Sequence, residues 1–122
     1  MANMRYIDLE KYGGNGQVVI SGDISLRAEA ITKNEVSRRM VKLKVNGDET
    51  DTQYEEHIDA GDLEIIMVLK YVRKAPFNQT YDSFMGYCDS LEEKSPGASL
   101  KLFQEMQDAV QEVLAEPNPL EN

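Results

Sequence analysis

A catalytic or metal centre needs several donors held together, and outside its carboxylates this chain supplies few. It has one histidine, His57, and one cysteine, Cys88. The two could in principle form a Cys–His nucleophilic couple or give two ligands to zinc. Neither sits in a motif that would complete such a set, and isolated residues of this kind are ordinarily structural. The 22 acidic residues always offer carboxylate pairs of the sort a glycosidase uses, so their abundance makes that signal unspecific. The acidic run Asp48–Asp62 invites a calcium reading. It lacks the glycine at the sixth position and the closing Glu of an EF-hand loop, and reads instead as a charged hairpin surface. Gly13-Gly14-Asn15-Gly16 has neither GxGxxG spacing nor a following GK[ST], so it reads as a turn rather than a phosphate cradle. Arg38, Arg39, Lys42 and Lys44 form a basic cluster without the interleaved aromatics of a nucleic-acid surface. Half of a cross-strand charge ladder is the better reading. The expectation from these residues is a protein without metal or cofactor, and not an enzyme.

The charge distribution points the same way. Residues 1–45 hold 8 basic and 5 acidic side chains, while residues 46–122 hold 5 basic and 17 acidic, giving a net charge of −9. Such acidity repels nucleic-acid phosphates and anionic membranes and favours solubility. A solvated acidic surface is the plain reading; the sharper one is a protein that keeps a basic or sticky partner soluble. The single cysteine cannot form an internal disulfide, which fits a reducing compartment. Met1–Lys11 carries Arg5 but no apolar segment of a secretory signal. The expected location is the cytoplasm.

The elements that would position these residues are organised around Gly61–Pro76, GDLEIIMVLKYVRKAP. Asp62 is a candidate cap, Glu64 suits the positive helix end, and Lys70, Arg73 and Lys74 suit the negative one. Pro76 is a stop signal. The spacing predicts a mostly buried helix, with a buried strand over Ile65–Val72 as the rival. Upstream, Met1–Tyr12 reads as a short strand or docking arm through Tyr6, Ile7 and Leu9. Gln17–Ile20 reads as a short strand. Ile24–Ala30 alternates and is read as a strand, although Ile24, Ala28 and Ile31 would also share a helical face. Thr32–Arg39 reads as a loop or one helical turn. Val41, Leu43 and Val45 alternate with Lys42 and Lys44, and Asn46-Gly47 predicts a two-residue turn into a return strand over Asp48–His57. Glu49, Asp51 and Glu55 would then face Arg39, Lys42 and Lys44.

After Pro76 the periodicity is helical. Phe77, Tyr81, Phe84, Met85, Cys88 and Leu91 recur at spacings of three and four from an Asn78 or Thr80 start. Ser95-Pro96 predicts a further start, with Ser95 as cap. Leu102, Phe103, Met106, Ala109, Val110, Val113 and Leu114 make one stripe, ended by Glu116-Pro117. Packing on the core is the plain reading of that stripe. As the last helix, it is also the element freest to be shared, so Leu102, Phe103, Met106, Val110 and Val113 are the candidate partner-binding residues.

The strand-rich start ending in MVKLKVNGDETDTQY, the apolar segment GDLEIIMVLKYVRKAP and the amphipathic segments QTYDSFMGYCDSLEEKSP and ASLKLFQEMQDAVQEVLAE together form a layout that resembles the tail assembly chaperones of long-tailed phages and prophages. The resemblance covers most of the chain and is one of organisation rather than of a motif. It implies a cytoplasmic, non-enzymatic protein that binds the tape measure protein during tail building, with no catalytic residues to carry over.

The expectation is therefore an α+β fold in a single domain, 1–122. Its strand-rich part, 1–58, forms a small N-terminal antiparallel sheet. About three helices follow over 61–116, and 117–122 is a loose tail. The expected function is protein binding, specifically tail assembly, with homo-oligomerisation open. The alternatives are a small acidic inhibitor or nucleic-acid-mimicking protein, and a small carboxylate-based enzyme or subunit.

Overall fold

The computed structural model describes residues 3–46 and 53–115. The chain is α+β, as the periodicities predict. Strand β1 (Met4–Asp8) runs through a 3-10 turn (Leu9–Tyr12) into β2 (Gln17–Ser21). Helix α1 (Leu26–Arg39) and the hairpin β3 (Val41–Asn46) and β4 (Gln53–His57) follow. Then come α2 (Ala60–Leu69), β5 (Val72–Lys74), α3 (Tyr81–Lys94) and α4 (Ala98–Ala115). The main sheet is antiparallel in the order β1-β2-β5, and β3-β4 form a separate two-stranded sheet.

Strands β1 and β2 follow from alternation. Ile7 and Leu9 point inward with Val18 and Ile20 and are all but fully buried, while Tyr6 and Asp8 point out. The turn between the strands needs backbone freedom at Gly13, whose φ is 87°. Asp8 holds the 3-10 turn by accepting the N–H of Glu10. Helix α4 packs across the inner face, on β1 and β2, and against α2 and α3. Its last turn is tied to β1 by Arg5 Nε on Glu112 Oε2 at 2.9 Å.

Four local expectations change. Ile24–Ala30 is not a strand: Ser25 Oγ accepts the N–H of Ala28 at 3.0 Å and starts α1, which also takes in Thr32–Arg39. The buried positions of α1 are Ala28, Thr32 and Glu35, at helical spacing. Two of the three are polar, so an apolar pattern could not reveal that face.

The central segment is not one helix to Pro76. Its cap is Asp59, which accepts the N–H of Asp62 at 3.1 Å, and the helix stops at Leu69. Val72 then crosses to the sheet and pairs with Ile20, while Ser21 N–H donates to Tyr71 O at 2.9 Å. Pairing with β2 outweighs the local helix signals. The rival strand reading thus holds only at the end of the segment.

The hairpin β3–β4 is antiparallel, with Val41 opposite His57, Lys44 opposite Tyr54 and Asn46 opposite Gln53. That register excludes a two-residue turn at Asn46-Gly47, which would set Lys44 against Glu49. Residues 47–52, with Glu49 and Asp51 among them, lie outside the described residues.

Finally, Ser95 is the C-cap of α3 rather than the cap of α4. The start of α4 is held by Glu92, whose carboxylate accepts the N–H of Gly97 and of Ser99, each at 2.9 Å, and the Ser99 hydroxyl at 2.8 Å. The tail 117–122 lies outside the described residues.

Candidate functional site

The residues singled out in the sequence are dispersed by the fold. His57 ends β4 on the surface, whereas Cys88 is buried in α3 at 5% exposure. Burial, and then the negative charges of Asp89 and Glu92, push the Cys88 thiol up to about 11, so it is not a poised nucleophile. Among the described residues, no group of three or more His, Cys, Asp or Glu side chains is arranged to hold a metal ion.

The basic cluster is divided. Arg38 Nη1 and Arg39 Nη1 lie 3.3 and 3.1 Å from Glu35 Oε2, and Arg39 also reaches Asp82 Oδ1 at 3.3 Å. The Arg39 guanidinium stacks over the Tyr81 ring, 4.3 Å from its centroid. Arg39 thereby fastens α1 to α3. In the hairpin, the register sets Lys42 opposite Glu56.

The α4 stripe lies inward. Leu102, Met106, Val110 and Val113 are buried, and half-buried Phe103 sets its ring 6.1 Å from that of Phe84. A partner would reach these residues only if α4 left the sheet.

The open surface is elsewhere. On the outer face of the main sheet Tyr6 and Asp8 of β1 are exposed, while Val19 of β2 is buried between its neighbours. Met4 and Tyr6 of β1, Val19 of β2, and Arg73 and Lys74 of β5 line a shallow groove there of ≈ 740 Å³. Tyr6 is 61% exposed. A second groove of ≈ 580 Å³ continues on the other side of β5, where Arg73 and Lys74 face Arg27 and Ile31 of α1. Strand β5 thus carries two cations along the join between the grooves. Lys70 is engaged by Glu29 at 3.0 Å, which with its hydrogen bond holds the Glu29 carboxyl below its ordinary range. Among the described residues, no carboxylate pairs with Arg27, Arg73 or Lys74. Among the described residues, neither groove has an acidic residue in its lining. In a chain of net charge −9, this is a local reversal of sign.

Sequence reasoning missed this surface because Arg73 and Lys74 read as the C-terminal charges of a helix. The signal that was present is the period of two at the start of the chain, which sends Tyr6 out as it sends Ile7 in.

The arrangement can hold an extended segment carrying apolar and acidic side chains.

Among known proteins, the chain matches no family model, no curated protein and no solved structure. No helix among the described residues is long and apolar enough to cross a membrane.

Proposed function

We propose that this protein is a non-enzymatic binding protein that receives a protein partner on the outer face of its main sheet. The observation that supports this is exposed Tyr6, set beside Met4 and Val19 and bordered by Arg73 and Lys74. Large apolar side chains rimmed by unspent charge are what a recognition surface presents. The unpaired cations favour a partner segment with carboxylates, because opposite charge adds attraction and specificity where the rest of the chain repels anions.

The more specific reading is a tail assembly chaperone of a long-tailed phage, acting in the host cytoplasm, with the tape measure protein as the partner. The layout of the chain carries that part. The sheet face gives it a docking place that leaves the α4 stripe of Leu102, Phe103, Met106, Val110 and Val113 in the core.

The test is co-expression with any tape measure protein found encoded beside this chain's gene, followed by capture on a tag. Capture of the wild type, reduced at least tenfold by the double substitution Arg73→Glu and Lys74→Glu with melting unchanged, is the expected result. No long tape measure gene in the neighbourhood would sink the chaperone reading. Undiminished capture by the double variant would remove the sheet face from it.

A further inference from the structure

Among the described residues, strand β1 is an edge strand, and in its outer row of backbone groups only the Met4 carbonyl has a partner. Gly22 N–H donates to Asn3 O at 3.1 Å and Leu9 N–H donates to Gly16 O at 3.0 Å. Between these two ends the register is unbroken, from Met4 opposite Ser21 to Asp8 opposite Gln17. The bonded pairs of an antiparallel ladder alternate, so Asn3, Arg5, Ile7 and Leu9 bond toward β2. Met4, Tyr6 and Asp8 therefore turn their N–H and C=O groups away from the sheet. Among the described residues, no other strand meets that row; Met4 O takes Arg5 Nη1 at 3.0 Å. Edge strands of natural proteins are commonly blunted by charged side chains, lysine above all, by proline or a bulge, or are covered. Met4–Asp8 contains no lysine or proline and its pairing with β2 has no bulge; its two charges, Arg5 and Asp8, are of opposite sign, and Arg5 is turned onto Glu112 of its own chain.

We infer that β1 pairs with β1 of a second copy of this chain, antiparallel, with Tyr6 on the two-fold axis. This goes beyond the partner reading and stands on the strand edge rather than on the cations of the groove. The row is self-complementary. With Tyr6 facing Tyr6 of the second copy, Met4 faces Asp8, and each outward N–H meets an outward C=O. All five strand residues take part. Arg5 falls opposite Ile7, and no like charges meet across the axis. Placing Arg5 on the axis instead would set two guanidinium groups against each other and shorten the ladder. Like all two-fold contacts, this one uses the same patch on both copies. The product is one six-stranded sheet whose outer face carries the two grooves side by side.

Light scattering after size exclusion, at tens of micromolar chain, should give twice the chain mass for the wild type. Two substitutions break the edge and spare the fold. Tyr6→Pro removes an outward N–H that the β1–β2 ladder does not use. Tyr6→Lys keeps the backbone and adds the charge that natural edges carry. Both should run as monomers and melt as the wild type does at a dilution where the wild type is also monomeric. Tyr6→Cys should oxidise to a covalent dimer, because bonded pairs set their Cα atoms about 5.5 Å apart. Gln104→Cys, on the exposed side of α4, should not, and the native Cys88 is buried and silent. A monomeric wild type, or a dimer that survives Tyr6→Lys, overturns the inference. If Tyr6→Pro fails to fold, Tyr6→Lys alone decides.

Discussion

The carboxylate of Glu35 accepts the backbone N–H of Tyr81 at 2.6 Å, across 46 positions of sequence. Glu35 is only 2% exposed, and it closes the first turn of α3 from the middle of α1. Thr80, which occupies the N-cap, makes no side-chain bond there. The negative charge sits where the helix dipole favours it, and Arg38 and Arg39 complete its partners. Glu35→Ala should cost about 1.5–3 kcal/mol, the range for a hydrogen bond to a charged group, because Arg39 keeps Asp82 and Arg38 is mostly exposed to water. Chemical denaturation would measure it, and a loss under 1 kcal/mol would show that the cap is incidental.

Glu92 makes the second such closure, at the start of α4. The N–H of Gly97, then that of Ser99 and the Ser99 hydroxyl, hold its carboxyl below the ordinary value of 4.5. A pKa lowered by folding contributes stability that is present above the unfolded value. That stability is lost as pH falls through the folded one. Glu92→Gln should therefore melt lower than the wild type near neutral pH, and the gap should narrow as pH drops below 4.5. A gap that stays constant down to acid pH would mean that the carboxylate charge does not matter there.

Met106 is fully buried in the α4 stripe, so Met106→Ala should cost about 2–5 kcal/mol. Phe103→Ala should also lower the melting temperature, by less, since that ring is half-buried against Phe84. Thermal melting checks both. Two variants that melt as the wild type would show that α4 is not held as described.

Cys88 should resist a thiol reagent at mildly alkaline pH until the protein unfolds, its pKa being raised to about 11 by burial and by Asp89 and Glu92. Labelling in buffer and in denaturant, followed by mass, gives the contrast. Equal rates would place the thiol at the surface.

The fold class was legible because its strongest signals are periodic. Ile7 and Leu9 against Tyr6, Val18 with Ile20, and the α4 stripe all reported their elements correctly. What escaped was set by distant partners. Helix α1 turns Thr32 and Glu35 inward, and polar residues announce no buried face. The strand at Val72 exists because β2 has an edge for it, which no local signal encodes. Thr80 does occupy the N-cap of α3 and Ser95 does not cap α4, but in both helices the side chain that closes the first turn, Glu35 or Glu92, lies outside the helix it closes. The open groove was hidden by the same error that carried the helix through Arg73.

The two glutamate closures differ in reach, and this orders the folding reaction. Glu92 is five and seven positions from the groups it binds, so the α3–α4 hairpin can close on itself early. The loop that brings Glu35 to Tyr81 is far longer, and its closure entropy is met only once the rest of the molecule is in place. We expect Glu92→Gln to slow refolding, and Glu35→Ala mainly to speed unfolding. Stopped-flow chevrons of the two variants would show it, and the reverse assignment of limbs would refute this order. A cell then holds, for a moment in each folding event, a chain whose C-terminal hairpin is formed while α1 is still seeking its place.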